Sequence, residues 1–488
     1  MDGMVFDGQG GRRAMIGRRV LRQGMHGDDV KVLQERLNEL GFEAGDADGR
    51  FGILTKEAVR EFQRAHRLRI DGIAGSEVFS VLMSPYAHKR ITHVVGERER
   101  LYDVARKYNA PVELLIHANR LKEDSYLYKS QRLVIPFRSV KGYYREDAGT
   151  SNGQDACTRG VRHDLLTLLA YCWFLVDSEG RVHGDIQPEL FAPASRDAGN
   201  VWKAGKAELS IAVRFGQEGL PAAEVAHNVL ATRKARAAAV RSLLDAASRS
   251  GAREVEIWLD NLDIEDRYYF YSFIRDLSKS IKVSNRQVSV AIPVVGDAQR
   301  YSEAGAGTAE LAEKKGGGEA PGPVFDYGEI ARHVDYVTLL AFDEHRKESM
   351  PGPIASVEWV KEAIRYALSY IPCWKIMLAI PTYGYDWPEA SRNQSQSHTL
   401  SYDEIQVIAS TFKPSIEWDS RAMVPHFRYR SFRVNHHVWF ENAQSLLAKV
   451  DLVEKYNLAG IALWRLGLED PAIWSGINTR FKVRRRND

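Results

Sequence analysis

The residues best suited to chemistry lie in one acidic stretch, REVEIWLDNLDIEDR, which begins at Arg253. Residues two apart on a β-strand share a face, so carboxylates at that spacing can point together into one cavity. Two carboxyl groups held in this way can act as an acid and a base. The chemistry of this stretch therefore depends on which of its residues face inward.

Two strand registers are compatible with the stretch. In the ungapped register, Glu256, Trp258 and Asp260 face inward, and the apolar residues between them face outward. In a shifted register, Asp263 and Glu265 face inward, but Asp260 then lies on the helix-facing side, where a bare carboxylate is costly. We favour the ungapped register and keep the shifted one as the alternative.

The elements that must position this stretch alternate between strands and amphipathic helices over residues 140–483. Strands are predicted to begin at Val140, Leu166, Glu208, Val255, Val288, Tyr336, Lys375 and Gly460. Helices follow most of them, as at 223–246, and residues 478–483 are expected to supply part of the closure. The pattern predicts an α/β fold, a (β/α)8 TIM-type barrel.

Two segments interrupt the barrel pattern. Residues 296–323 contain few large apolar side chains, so we expect a mobile surface loop there. Residues 386–440, which follow the seventh strand, are aromatic and polar. We expect them to form an α+β insertion that walls one side of the barrel mouth.

Three smaller pieces precede the barrel. Residues 1–17 are rich in Gly and Arg and are predicted to form a disordered tail. Residues 18–84 contain three predicted helices, with Asp-Gly turns at Asp48 and Asp71. Residues 88–137 show the order strand, helix, helix, strand, which predicts a small βααβ domain. Neither domain has room for a deep catalytic pocket, so both are predicted to be binding modules.

Composition and charge exclude several classes of function. The 67 Lys and Arg residues against 64 Asp and Glu give a net charge of +3, which argues against binding of nucleic acid or anionic lipid. No apolar run reaches the roughly 20 residues that span a bilayer, and the N-terminus lacks the apolar part of a signal peptide. We therefore expect no membrane span and synthesis in the cytoplasm. The three cysteines are too scattered for a disulfide framework, and we expect neither a metal site nor a cofactor.

Several strings resemble known families. GDDVKVLQERLNELGF with DGRFGILTKEAVREFQRAH resembles a peptidoglycan-binding domain, and THVVGERERLYDVARKYNAPVELLIHANRL resembles a LysM module, which binds N-acetylglucosamine polymers. Gly96-Glu97-Arg98 replaces the usual Pro-Gly-Asp of that module, so its sugar-facing loop is expected to be altered. NLDIEDR, IPCWKIMLAIPTYGYDW and HHVWFENAQSLLAKVDLVEKYNLAGIALWRLG resemble glycoside hydrolase family 18, in particular its spore-cortex-lytic and spore-germination branch.

The last resemblance implies a site chemistry. Family members carry Asp-x-Asp-x-Glu on the fourth strand, where the Glu protonates the leaving oxygen and the preceding Asp orients the acetamido group of the substrate. The ungapped register puts Asp260 at the acid position and Trp258 at the assisting position, so both family residues are changed. The shifted register would give these two roles to Glu265 and Asp263.

Further site residues are implied at other strand ends. After the sixth strand, where the family usually has a Tyr and then an acid, Phe342 is followed by Asp343 and Glu344, which could take over an acidic role. Aromatic residues match the walls and floor of a sugar cleft. The residues expected to bind substrate are Trp258, Phe342, Tyr383, Tyr385 and Trp464.

The sequence as a whole predicts a protein of the spore or cell wall that binds peptidoglycan or another N-acetylglucosamine polymer. Its barrel is expected to hydrolyse glycan weakly or not at all. Two alternatives stay open at this point. One is an active cortex-lytic or chitinase-like glycosidase, and the other is a non-catalytic protein of spore-layer assembly.

Overall fold

The computed structural model describes residues 19–40, 42–65, 68–82, 91–108, 110–122, 125–145, 162–184, 186, 207–259, 262–294, 325–389 and 397–483. These residues fall into two compact units. One comprises Met1–Arg138, Pro372–Trp374 and Thr479–Lys482, and the other comprises the remainder. The predicted tail at 1–17 and the predicted loop at 296–323 lie outside the described residues.

The first unit begins with three helices, α1 (Asp28–Glu39), α2 (Ile53–Ala65) and α3 (Ser76–Leu82). The two Asp-Gly turns are held in the same way by buried glutamines. The Gln34 amide donates to Asp48 and accepts from the Gly49 N–H, at 3.0 and 2.9 Å. The Gln63 amide does the same at Asp71 and Gly72, at 2.8 Å each. The repeated Asp-Gly motif is therefore explained by turn structure.

The same unit continues as a βααβ arrangement, β1 (Ile91–Val94), α4 (Leu101–Lys107), α5 (Val112–Asn119) and β2 (Arg132–Ile135). The two strands pair antiparallel. The helices close over them, because buried Val104, Leu114 and Leu115 pack against Leu133 and Ile135. The predicted βααβ fold is confirmed.

Eight parallel strands of the second unit form a closed barrel. They are β3 (Phe137–Arg145), β4 (Leu168–Val176), β6 (Glu208–Phe215), β7 (Glu254–Trp258), β8 (Gln287–Pro293), β9 (Tyr336–Leu340), β10 (Ile376–Pro381) and β16 (Gly460–Trp464), with a short β5 (Val182–His183) beside β4. The pairing of β16 with β3 and of β3 with β4 closes the ring. Strands such as β10 are buried throughout, as expected where a parallel sheet is covered on both faces.

Helices surround much of the barrel. They are α6 (Ala222–Ala231), α7 (Arg233–Arg249), α8 (Arg267–Val283), α9 (Tyr327–His333), α10 (Val357–Leu368), α11 (Tyr402–Phe412), α12 (Ala443–Lys455) and α13 (Ile473–Arg480). The single helix predicted at 223–246 is two helices, because Thr232 is extended and its side chain accepts from the Ala235 N–H to cap α7. Between β3 and β6 the described residues contain a 3-10 turn, β4 and β5 but no α-helix.

The insertion after the seventh strand is an antiparallel sheet covered by α11. Its strands are β11 (Gly384–Pro388), β12 (His398–Leu400), β13 (Glu417–Asp419), β14 (Val424–Ser431) and β15 (Val434–Phe440), and their order in the sheet is β12-β11-β15-β14-β13. Ile405 of α11 packs on Leu400, Phe427, Val438 and Phe440. The predicted α+β insertion is confirmed. A last short strand, β17 (Lys482–Val483), follows α13.

Two remaining expectations concern membranes and cysteines. Among the helices that the structure describes, none has the length and apolar character to cross a bilayer. Cys172 and Cys373 are buried thiols, whereas Cys157 lies outside the described residues.

Candidate active site

The strand β7 places alternate residues inside the barrel. Val255 and Ile257 are buried outside it, and the interior side carries Glu254, Glu256 and Trp258, whose exposed fractions are 0%, 0% and 2%. This is the alternation that the ungapped register predicts for these positions. The direction is fixed by contacts across the barrel, since Glu256 bonds to side chains of β3 and β9.

Glu256 is the centre of a buried hydrogen-bond network. Its Oε1 accepts from Lys141 Nζ at 2.9 Å and from Thr338 Oγ1 at 2.7 Å. Its Oε2 accepts from the Tyr143 hydroxyl at 2.8 Å and from the Trp258 indole N–H at 3.2 Å. Lys141 also lies 2.9 Å from Glu254, so one buried cation serves two buried carboxylates.

Electrostatics keep Lys141 and Glu256 ionised. Burial alone would lower the pKa of Lys141, but the charges of Glu254 and Glu256 outweigh it and raise that pKa. Burial alone would raise the pKa of Glu256, but Lys141 and the hydroxyl donors outweigh it and lower that pKa. A carboxylate that is charged and fully hydrogen-bonded has no proton to donate to a leaving group. Glu256 is therefore suited to holding its neighbours in place.

Trp258 fills the interior directly beyond Glu256. Its ring centroid lies 4.7 Å from that of Trp173, 4.9 Å from that of Trp464 and 5.3 Å from that of Tyr143. The Arg214 guanidinium lies 3.8 Å from the Trp173 ring centroid, a cation–π contact. Aromatic rings and a cation thus occupy the region where the resemblance implies an assisting carboxylate.

The other carboxylates of the acidic stretch lie elsewhere. Asp260 is outside the described residues. Asp263 and Glu265 are exposed, and they lie beyond the end of β7 in the turn that leads into α8. Asp266 is buried next to them and bonds to His227 Nδ1 at 2.9 Å. The described strand does not extend to the positions that the shifted register requires.

Asp343 is a second carboxylate at the barrel mouth. It has a positive φ of 63°, and its Oδ1 accepts hydrogen bonds from the hydroxyls of Tyr383 and Tyr385, at 2.5 and 2.8 Å. Burial raises the pKa of Asp343, against the opposing effect of the two hydroxyl groups. The structure thus brings together three residues that were predicted one by one, and it gives their carboxyl group a tendency to hold a proton.

Glu344, the neighbouring acid, has a structural contact. Its two carboxylate oxygens accept from the backbone N–H and the hydroxyl of Ser356, at 2.6 and 3.0 Å. Ser356 is the N-cap of α10. Glu344 therefore fixes the start of a helix, and its oxygens are engaged in that contact.

The predicted substrate-binding aromatics lie together. Trp258, Phe342, Tyr383, Tyr385 and Trp464 all belong to one cluster, and Phe342 stacks on Trp464 with ring planes 8° apart. Sequence reasoning missed Lys141, Tyr143, Trp173 and Arg214. Charged residues inside otherwise apolar strands are the signal that would have found Lys141 and Arg214.

Possible metal ligands are sparse in the part of the chain that the structure describes, where no group of three or more His, Cys, Asp or Glu side chains could hold an ion. The adjacent His436 and His437 each pair with a carboxylate, Asp386 at 2.9 Å and Glu389 at 2.6 Å.

Comparison with known proteins identifies the families that the parts of the chain match. The sequence model of Glycosyl hydrolases family 18 matches residues 139–469, a peptidoglycan binding domain model matches 26–82, and a LysM domain model matches 93–136. The Cortical fragment-lytic enzyme of Bacillus subtilis is 28% identical over 249 residues, which are 50% of this chain and 53% of that protein. The enzyme of the same name from Bacillus cereus is 23% identical over 333 residues, which are 67% of this chain and 71% of that protein.

A solved structure shows the same fold. The spore cortex-lytic enzyme SleL of Bacillus megaterium superposes with a TM-score of 0.59 at 21% identity, covering 88% of this chain and 96% of that one.

Proposed function

The chain belongs to glycosyl hydrolases family 18, and from that premise we propose that it is a wall-binding protein whose barrel hydrolyses glycan weakly or not at all. Its ligand is peptidoglycan or another polymer that contains N-acetylglucosamine. The names of the cortical fragment-lytic relatives support a place in the spore or cell wall.

The observation that carries this proposal is the burial of Trp258. An indole that is 2% exposed and packed among Trp173, Trp464 and Tyr143 cannot stabilise a cationic intermediate as a carboxylate would. The ungapped register puts Asp260 at the acid position of the family, where its side chain is one methylene shorter than that of the family Glu.

The known losses in rate from a missing or displaced catalytic group support weak activity. Loss of a positioned proton-transfer group costs roughly 100- to 10,000-fold in rate. A displacement of about 1 Å can cost on the order of 100-fold. Burial raises the pKa of Asp343, which suits an acid, so we assign any residual proton transfer to this carboxyl group.

Binding is assigned to the two N-terminal modules together with the aromatic cluster. Two modules on one chain raise the effective concentration of each for a polymer with repeated sites, so modest single affinities are sufficient. In the LysM-like module, the loop before β2 exposes Tyr126 and Tyr128 by 87% and 74%, which leaves both rings free to stack on sugars.

One experiment tests the proposal against its alternatives. The full chain is incubated with spore-cortex peptidoglycan and with chito-oligosaccharides, and both released reducing ends and sedimentation with the insoluble glycan are measured. We expect sedimentation with little or no release, and the same result for the Asp260→Asn and Glu265→Gln variants.

Other outcomes select an alternative. Rapid release that only Glu265→Gln abolishes would establish an active glycosidase with Asp263 as its assisting residue. Absence of sedimentation with either glycan would favour the assembly protein.

A further inference from the structure

The hairpin formed by β14 and β15 ends in an unusual turn. Arg430 pairs with Asn435 and Ser431 with Val434, so Phe432 and Arg433 form a two-residue loop. Both loop residues have positive φ, 44° and 69°. Hairpin loops of this kind favour Asn-Gly, because a side chain with a β-carbon is disfavoured in the left-handed region. The tip therefore holds two large side chains in a backbone conformation that is unfavourable for residues with a β-carbon.

The same hairpin is basic, and its tip is fully exposed. Phe432 is 100% exposed, and Arg428, Arg430 and Arg433 are exposed as well. Residues 424–440 contain three arginines and three histidines and no acidic residue. An apolar ring flanked by cations in this way is well placed to contact an anionic partner.

Acidic side chains near the hairpin are already engaged. Glu389 accepts from His437 Nε2 at 2.6 Å and from Asn435 Nδ2 at 2.8 Å, and Glu417 lies 4.0 Å from His426. Within the described ranges, no ion pair within 4.0 Å involves Arg430 or Arg433. Their guanidinium groups are available to a ligand from outside the chain.

Strand register connects the hairpin to the barrel mouth. Arg428 lies opposite His437, and His437 lies opposite Trp387 on β11. Trp387 belongs to the aromatic cluster that contains Trp258. One face of the insertion sheet therefore runs from the cluster at the barrel mouth to the exposed arginines.

From these observations we propose that this end of the hairpin, Arg428, Arg430, Phe432 and Arg433, binds the carboxylates of a wall polymer whose glycan lies in the barrel mouth. Guanidinium groups bind carboxylates through paired, charge-assisted hydrogen bonds. Peptidoglycan carries carboxylates on its peptide stems, whereas chitin is uncharged. The surface thus selects peptidoglycan over chitin. This inference rests on the wall-binding function proposed above.

The test uses the full chain with Arg430→Gln, Phe432→Asn and Arg433→Gly combined. Asn-Gly relaxes the turn, so the hairpin is expected to stay folded while the contact groups are lost. A matched control carries Arg275→Gln and Lys279→Gln on the exposed side of α8, which removes the same two charges elsewhere. Dissociation constants for insoluble peptidoglycan and for chitin are measured by sedimentation at low and high salt.

We expect the triple variant to bind peptidoglycan roughly three- to tenfold more weakly at low salt, with the difference shrinking at high salt. Chitin binding and the control variant should match the wild type. Unchanged peptidoglycan binding by the triple variant would overturn the hairpin proposal alone. A wild-type chain that fails to sediment with peptidoglycan would overturn both this proposal and the wall-binding function.

Membranes are the other anionic surface to be compared. Vesicles of phosphatidylglycerol and phosphatidylcholine are tested by flotation with the same proteins. Flotation of the wild type that the triple variant loses, with peptidoglycan affinity unchanged, would assign the hairpin to lipid and overturn the proposal.

Discussion

Two carboxyl groups of the same barrel, the buried Glu256 and the partly buried Asp343, have pKa values shifted in opposite directions. Glu256 on β7 faces a buried cation and several donors, and its pKa is lowered. Asp343 after β9 has two tyrosine hydroxyls as hydrogen-bond partners, and its pKa is raised. Burial raises the pKa of both groups, so the difference between their pKa shifts comes mainly from Lys141, which lies beside Glu256.

The comparison distinguishes a carboxylate that stabilises the fold from a carboxyl group that can exchange a proton. A carboxylate paired with a cation inside a barrel stays charged and holds its neighbours, as Glu256 holds Trp258. A carboxyl group whose pKa is raised by burial, as that of Asp343 is, keeps the ability to take up and release a proton. We therefore expect any residual catalysis to use Asp343, which follows β9. We expect Glu256, on β7, to stabilise the fold.

Removal of the Lys141 cation should have the largest effect on the stability of the fold. Lys141→Met leaves two buried carboxylates without a counter-charge, so we expect the free energy of unfolding to fall by about 3–5 kcal/mol. All ten tryptophans lie at or beyond position 173, so tryptophan fluorescence in a urea titration reports mainly on the unit that contains the barrel.

The control for this change is Arg249→Met, which removes an exposed ion pair with Asp245 and should cost less than about 1 kcal/mol. Equal losses in the two variants would show that the buried charges are not coupled.

Neutralisation of Glu256 should have an intermediate effect that depends on pH. Its folded pKa lies below its unfolded value of about 4.3, so its charge stabilises the fold at neutral pH, and that contribution is lost as the pH falls through the folded pKa. We expect Glu256→Gln to lower the free energy of unfolding by about 1–3 kcal/mol at pH 7.

The difference between Glu256→Gln and the wild type should shrink on acidification, as followed by urea midpoints from pH 7 downward. A constant difference over that range would mean that Glu256 is not ionised in the folded state.

Substitution of Asp343 by Asn should change the stability of the fold least. Because its folded pKa is raised, its contribution to stability is present below the unfolded pKa of about 3.9 and is lost as the pH rises through the folded value. Asp343→Asn stays neutral at every pH and keeps an oxygen for both tyrosines. Its free energy of unfolding at pH 7 should therefore lie within about 1 kcal/mol of the wild type, or above it.

A loss of more than about 2 kcal/mol in Asp343→Asn at pH 7 would remove the contrast with Glu256, since a loss of that size is typical of an ionised, hydrogen-bonded group.

Particular residues show how far the sequence could predict the site. The period-two pattern predicted which side of β7 carries Glu256 and Trp258, because side-chain direction on a strand is a local property. The break at Thr232 was missed, since helix propensity continues through 223–246 and only the cap contact reveals the boundary. The pairing of Asp343 with Tyr383 and Tyr385 joins residues about 40 positions apart, which no local pattern encodes.

The sequence by itself determined the strand alternation, the order of the elements and the family, because these follow from periodicity and from motifs within short segments. Only the tertiary structure decided which carboxylates are charged. Closure of the barrel brings Lys141 to Glu256 across 115 positions of the chain, and a pKa depends on such neighbours in space.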